Sequence, residues 1–219
     1  MSDPSAYAFP TSGSSRLSTA SSIYTDNRHT PQTRNKSLLE RNLNRTKGAE
    51  VGLSSFAFLF SEMIQYAQKR VNGIQDLERK LNEFGYRVGL RMLELLVWRD
   101  RNPKREVRVL SILYFIHTAL WKGLFGKQAD SLEKSTENED EFMISDNEPV
   151  LTKYISVPRE LSQLNCNAFL AGVVEAILDS AQFSARVTAH TVPIDGFPLR
   201  TTILIKFEKD VLARDELLK

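Results

Sequence analysis

With 219 residues, 42% of them hydrophobic and 26% charged, the chain can bury a real core as one domain plus a tail, or at most as two small domains. Its 29 basic and 27 acidic residues leave a net charge of +2, short of the basic footprint of a nucleic-acid binder, and its single cysteine, Cys166, excludes an internal disulfide and fits a reducing compartment. The first 30 residues hold no apolar leader core, and the longest apolar run, 109–120, falls well short of the roughly 20 residues a membrane span requires.

Residues 1–35 are rich in Ser, Thr and Pro, bury too little apolar surface to offset chain entropy, and read as a disordered tail. A single ordered domain is expected over 36–219. Its first predicted helix starts at a Ser54 or Ser55 cap and carries Phe56, Leu59, Phe60, Met63, Ile64, Ala67 and Val71 as one broad apolar stripe. Phe58 falls outside that stripe, which implies burial on more than one side. A second helix is predicted from Asp76 to Trp98, with Leu77, Leu81, Phe84, Val88, Met92 and Leu95 in register. Gly85 and Gly89 lie four apart within it, where missing side chains permit close backbone approach. Each glycine costs a helix about 1 kcal/mol relative to alanine, so the pair implies a packing reason.

The loop WRDRNPKREVR (98–108) sets five Lys/Arg against two acids. It suits either an acidic or phosphate-bearing partner or a plain solvated turn, and without interleaved aromatics the turn is favoured. Val107–Lys122 is apolar almost all round and predicts a central helix. The stretch 126–141 reads as a short helix and an acidic loop. EFMIS (141–145) and PVLTKYISV (149–157) then read as a hairpin about a turn at 146–149. A further helix follows within 162–181, capped by Asn165 or Asn167, with Phe169, Gly172, Val173, Ala176 and Ile177 facing inward. FSARVTAHTV (183–192) and RTTILIKF (200–207) alternate as strands joined by the Pro193–Pro198 turn, and a polar helix follows them. The pattern is α+β: a four-stranded antiparallel sheet covered on one face by helices, with a helical N-terminal half and one helix between two hairpins.

Chemistry is sparse. His29, His117 and His190 form no metal-ligand spacing with Cys166 or the acids, and there is no glycine-rich phosphate loop, nucleophile elbow or HExxH. No catalytic residue, cofactor or metal is expected, and the chain is not an enzyme in its own right. Cys166 fits a reactive or acylated thiol near a helix start, or a small buried apolar group; the second is favoured. The surplus of apolar helix surface fits burial against another subunit or burial within the chain's own fold.

Four segments, NEFGYRVGLRMLELL (82–96), DNEPVLTKYISVPREL (146–161), LNCNAFLAGVVEAIL (164–178) and RTTILIKFE (200–208), occur in the order seen in Bet-three-type subunits of the transport protein particle (TRAPP). Together with the lead-in KSLLERNL (36–43) and the stretch WKGLFGKQADSLEKS (121–135), they resemble that family over about 36–215. The resemblance implies a structural, non-catalytic subunit of a vesicle-tethering complex in ER-to-Golgi traffic, one that contributes to nucleotide exchange on a Rab GTPase. It implies a heterodimer with another Bet-three-type subunit, with Phe56, Leu59, Phe60, Met63, Ala67, Leu81, Gly85, Val88, Gly89 and Met92 at the interface. Further implied are contacts with other TRAPP subunits, a GTPase contact through Lys36, Leu39 and Arg41, and a cytoplasmic location, peripheral at Golgi and endoplasmic reticulum membranes. The family's founding member carries an acyl chain on a cysteine between its second and third helices. Here that loop has no cysteine, and Leu110, Phe115 and Trp121 are expected to fill the space. The rival reading is a free-standing acyl-chain or small-molecule binding module on the same fold.

Overall fold

The computed structural model describes residues 51–100 and 102–218. The expected tail and the lead-in residues Lys36, Leu39 and Arg41 lie outside the described residues. The apolar stripe of the first helix becomes α1 (Leu53–Gln68), which buries Phe60 and Ala67 completely. Gly73 then turns the chain with φ at 100°, a left-handed conformation that a Cβ would strain. It opens α2 (Ile74–Arg99), where Asp76 in the first turn complements the helix dipole. Leu77, Leu81, Gly85 and Gly89 form the buried line of α2.

The expected single helix over Val107–Lys122 is a composite. α3 (Val109–Phe115) runs into a π-helical turn (Ile116–Leu120) and on into α4 (Trp121–Phe125), which Gly126 ends in the left-handed region at φ 76°. The wide turn keeps Ile116 and Leu120 inward and delivers Trp121 to the core with no exposure. Leu110 is not a filler: it is 65% exposed, Phe115 is half-buried, and only Trp121 of the three expected side chains is enclosed.

The sheet holds β1 (Ser131–Lys134), β2 (Glu141–Asp146), β3 (Ala185–Thr191) and β4 (Thr201–Phe207) in the order β1-β2-β4-β3, all antiparallel. Phe142 lies opposite Ile205 and Ile144 opposite Ile203, and this row faces the helices. The first hairpin differs from expectation. Residues 149–157 are turns and loop rather than a strand, because Leu151 drops into the core while its neighbours stay partly or fully in solvent. The partner of β2 is β1, from the stretch expected to be a short helix. α5 (Ala168–Ser180) connects β2 to β3, and α6 (Lys209–Leu217) closes the chain against α3. Asp215 makes that closure: its Oδ1 accepts the Val109 amide at 3.0 Å and Arg108 Nε at 2.9 Å, capping the start of α3.

The glycines of α2 face inward, against expectation. A Cβ on Gly85 would collide with the carbonyl oxygen of Phe169, and one on Gly89 would lie 2.7 Å from Cβ of Ala176. Gly172 answers from α5, where a Cβ would run into the Asn82 carbonyl. Asn82 Nδ2 to Glu175 at 2.9 Å and Tyr86 Oη to Asp179 at 3.1 Å seal the side of this helix pair. Gly85 and Gly89 are therefore spent on the chain's own α5. Phe60, Ala67 and Leu81 are likewise enclosed by their own domain, and none of the five presents a side chain to a neighbour. Met92 points at Gly123 of α4.

Candidate interaction face

What α1 leaves in solvent is apolar. Phe58 is 76% exposed, Leu59 60% and Tyr66 50%, and with Ser55 and Glu62 they form the helix face opposite Phe60 and Ala67. The face continues onto α2. The Tyr66 ring sits 6.4 Å from Phe84, and Val88, one turn further on, is 40% exposed. Cations edge it: the Arg70 guanidinium lies 3.6 Å over the Tyr66 ring and Lys80 Nζ lies 5.6 Å from that of Phe84. An apolar stretch across two helices with a cationic margin has the anatomy of a protein-binding surface.

Of the residues expected at an interface, Leu59 and Val88 stand in this face. Phe56 and Met63 are half-buried at its margin, Phe56 stacking on Phe60 at 5.9 Å. The structure adds Phe58 and Tyr66. Phe58 carried a signal in the sequence: it lies outside the inward stripe, which leaves solvent or a partner as its surroundings.

Beside α1 a cleft of about 200 Å³ opens toward the loop 154–166, floored by Ile64, Leu161, Leu164 and Cys166 and edged by Gln65 and Gln68. Cys166 is 2% exposed. Burial, with the Glu78 carboxylate adding to it, pushes its thiol up from 9.0 to about 11. At neutral pH such a thiol carries roughly a hundredth of the usual thiolate. Iodoacetamide is therefore expected to label the native chain about a hundredfold more slowly than the chain in guanidinium chloride, as read by mass spectrometry; equal rates would mean an open, reactive cysteine.

The other end of that loop hangs from one carboxylate. Asp146, with a side chain only 3% exposed, accepts Lys127 Nζ at 2.7 Å, Trp121 Nε1 at 3.3 Å and the Glu148 amide at 3.1 Å. On the same face of the sheet Asn167 Nδ2 donates to Thr201 Oγ1 at 2.8 Å. His117 is half-buried beside Tyr114, and His190 is exposed and bonded to Thr188 at 2.8 Å; they share no site. The basic stretch after α2 leaves Lys104 and Arg105 in solvent and ties Arg108 to Asp215. Among the described residues no three His, Cys, Asp or Glu converge as metal ligands, and no helix is long and apolar enough to cross a membrane.

A sequence model of the transport protein particle (TRAPP) component family matches residues 56–208. Trafficking protein particle complex subunit 5 of Dictyostelium discoideum is 58% identical over 180 residues, covering 81% of this chain and 96% of its own length. The human protein of the same name is 47% identical over 188 residues, covering 85% and 96%. Trafficking protein particle complex subunit 31 of Saccharomyces cerevisiae is 31% identical, covering 78% and 81%. Among solved structures, a trafficking protein particle complex subunit 3 from Naegleria fowleri, covalently bound to palmitic acid, superposes with a TM-score of 0.63 at 15% identity, covering 72% of this chain and 95% of that one. At that identity the likeness concerns the fold.

Proposed function

The chain belongs to the TRAPP component family, and from that premise we propose that it is a non-catalytic structural subunit of a vesicle-tethering complex in ER-to-Golgi traffic. It pairs there with a Bet-three-type subunit through the α1–α2 face, and the assembled complex, not this chain alone, promotes nucleotide exchange on a Rab GTPase. Lys36, Leu39 and Arg41 are the residues offered to the GTPase. The complex works in the cytoplasm, peripheral to Golgi and endoplasmic reticulum membranes.

The observation that carries this reading is the exposure of Phe58, Leu59, Tyr66 and Val88 as one face. A free-standing domain gains nothing from holding two large apolar side chains of one helix more than half in water, whereas a subunit covers them on assembly. The acyl-module reading has less support. The loop 98–108 contains no cysteine, Cys166 sits in another element with a suppressed thiolate, and Leu113, Ile116, Leu120 and Trp121 fill the interior.

The double variant Phe58→Asp/Leu59→Asp tests the pairing. Both side chains are exposed, so melting of the chain is expected to stay within a few degrees of wild type. Association with the Bet-three-type partner, measured after co-expression by affinity capture and size exclusion, is expected to weaken on the order of thirtyfold or more. Undiminished association would end the proposal.

A further inference from the structure

On the open face of the sheet one cation lacks its counter-charge. The Arg200 guanidinium is half-buried and donates to Ser145 Oγ at 3.1 Å, yet its Nε is buried without an acceptor, and among the described residues no carboxylate pairs with it. Asp195, the acid nearest along the chain, is exposed on the β3–β4 connection and makes no ion pair with it among the described residues, and two acids at the ends of the neighbouring strands are engaged elsewhere. Asp130 Oδ2 accepts the Asn147 amide at 2.6 Å, and Asp146 serves Lys127 and Trp121. A partly buried charge without a partner is costly, and a buried N–H without an acceptor adds to that cost.

The surroundings say what is missing. Strand register sets Ser131, Ser145, Thr202 and His190 side by side in one row across all four strands, and Ser145 and Thr202 bond each other at 3.0 Å. Ser131 Oγ, in the same row, is also buried without a partner. Ser131, Ser145 and Thr202 are neutral hydroxyls, so none of them supplies the guanidinium with a counter-charge. Around it the β3–β4 connection leaves apolar side chains in water: Val192 and Ile194 are each 42% exposed and Leu199 50%. The Val192 amide bonds the Arg200 carbonyl at 2.9 Å, which pairs these two residues across the strands. A lone fork-shaped cation inside an apolar rim matches a single carboxylate flanked by apolar side chains; a phosphate dianion would be half neutralised and poorly solvated there. An arginine beside exposed apolar side chains is also common at interface hot spots.

We infer that Arg200, with Ser145 and Ser131 beside it and Val192, Ile194 and Leu199 around it, receives an Asp or Glu carboxylate presented on an apolar segment of a second partner polypeptide. The site rests on the chain working inside an assembly, but it lies on the sheet, apart from the α1–α2 face.

The test uses the full chain labelled with 15N and two peptides, acetyl-Leu-Glu-Val-amide and acetyl-Leu-Gln-Val-amide, with inorganic phosphate as a third titrant. The glutamate peptide is expected to shift the Arg200 Nε–Hε signal and the Val192 and Thr202 amides, and the glutamine peptide to bind at least tenfold more weakly. Arg200→Gln is expected to lower affinity for the glutamate peptide tenfold or more while leaving the melting temperature equal or higher, since an uncompensated charge is removed. Equal binding of the two peptides, tighter binding of phosphate than of the glutamate peptide, or a lower melting temperature for Arg200→Gln would each overturn the inference. Phe58→Asp/Leu59→Asp is expected to leave peptide binding intact. Loss of partner association there with retained peptide binding separates the two surfaces, and failure of the peptide arm alone leaves the α1–α2 reading standing.

Discussion

Gly85→Ala is expected to destroy the fold rather than an interface. Alanine in a helix interior is favoured over glycine by about 1 kcal/mol, so propensity alone predicts a more stable chain. Packing reverses the sign. The new methyl would sit within bonding distance of the Phe169 carbonyl, and what blocks it is backbone, not the end of a side chain that can swing away. α2 and α5 would have to separate, breaking the contacts of Gly89 with Val173 and of Gly172 with Asn82 on either side. Overpacking of movable side chains costs about 1–3 kcal/mol, so a backbone collision is expected to exceed about 3 kcal/mol, a large share of an ordinary domain's stability. Gly123→Ala is the control. Its methyl is crowded by Leu96 Cδ2, at 2.8 Å, the end of a flexible side chain, with Met92 Cε in ordinary contact at 3.7 Å, and its effect is expected to stay within about 1 kcal/mol. Urea denaturation followed by fluorescence of the buried Trp121 compares the two. A Gly85→Ala chain that melts like wild type but no longer binds its partner would restore these glycines to an intermolecular face.

The helices were legible because their apolar spacing is regular: α1 and α2 end within a few residues of the positions that Phe56–Val71 and Leu77–Leu95 predict. β3 and β4 were legible by alternation. β1 was not, since Ser131-Leu132-Glu133-Lys134 has one apolar residue and sits at a sheet edge, where a strand needs little burial to form. The loop 149–157 misled for the opposite reason. Val150, Leu151 and Ile155 look like strand, but Leu151 anchors a turn and makes no ladder. The π-helical turn leaves no mark in composition. The glycine pair gave the right physics and the wrong neighbour. Ala168, Gly172 and Ala176 form a second small-residue line at four-residue spacing in the same sequence, and two complementary lines in one chain point to each other before they point to a partner. The interaction face is what remained once α5 had claimed that side of α2. Leu59 and Val88 fall within the expected interface because the stripe is wide, but only the packed structure separates its inward part from its outward part.

Asp146→Ala is expected to cost about 3 kcal/mol, the second-largest effect of a single change. The Lys127 partner is 40% exposed and can return to water, so the ion pair contributes the smaller share. The larger share comes from donors that cannot leave. Trp121 is fully buried and its Nε1–H would lose its acceptor, and the Glu148 amide would lose the bond that begins the loop toward residue 166. Asp146→Asn keeps an oxygen for one donor but presents an NH₂ where a second acceptor is needed, so roughly half the loss is expected. Because the same loop ends at Cys166 and walls the cleft beside α1, the two variants are also expected to speed alkylation of Cys166 in the order Ala, Asn, wild type. Stability and labelling that fall together would place Asp146 as the clasp of this loop; stability lost with labelling unchanged would mean that the loop is held from its other end, where the Asn165 amide bonds Glu78 Oε1 at 2.8 Å and Asn167 bonds Thr201.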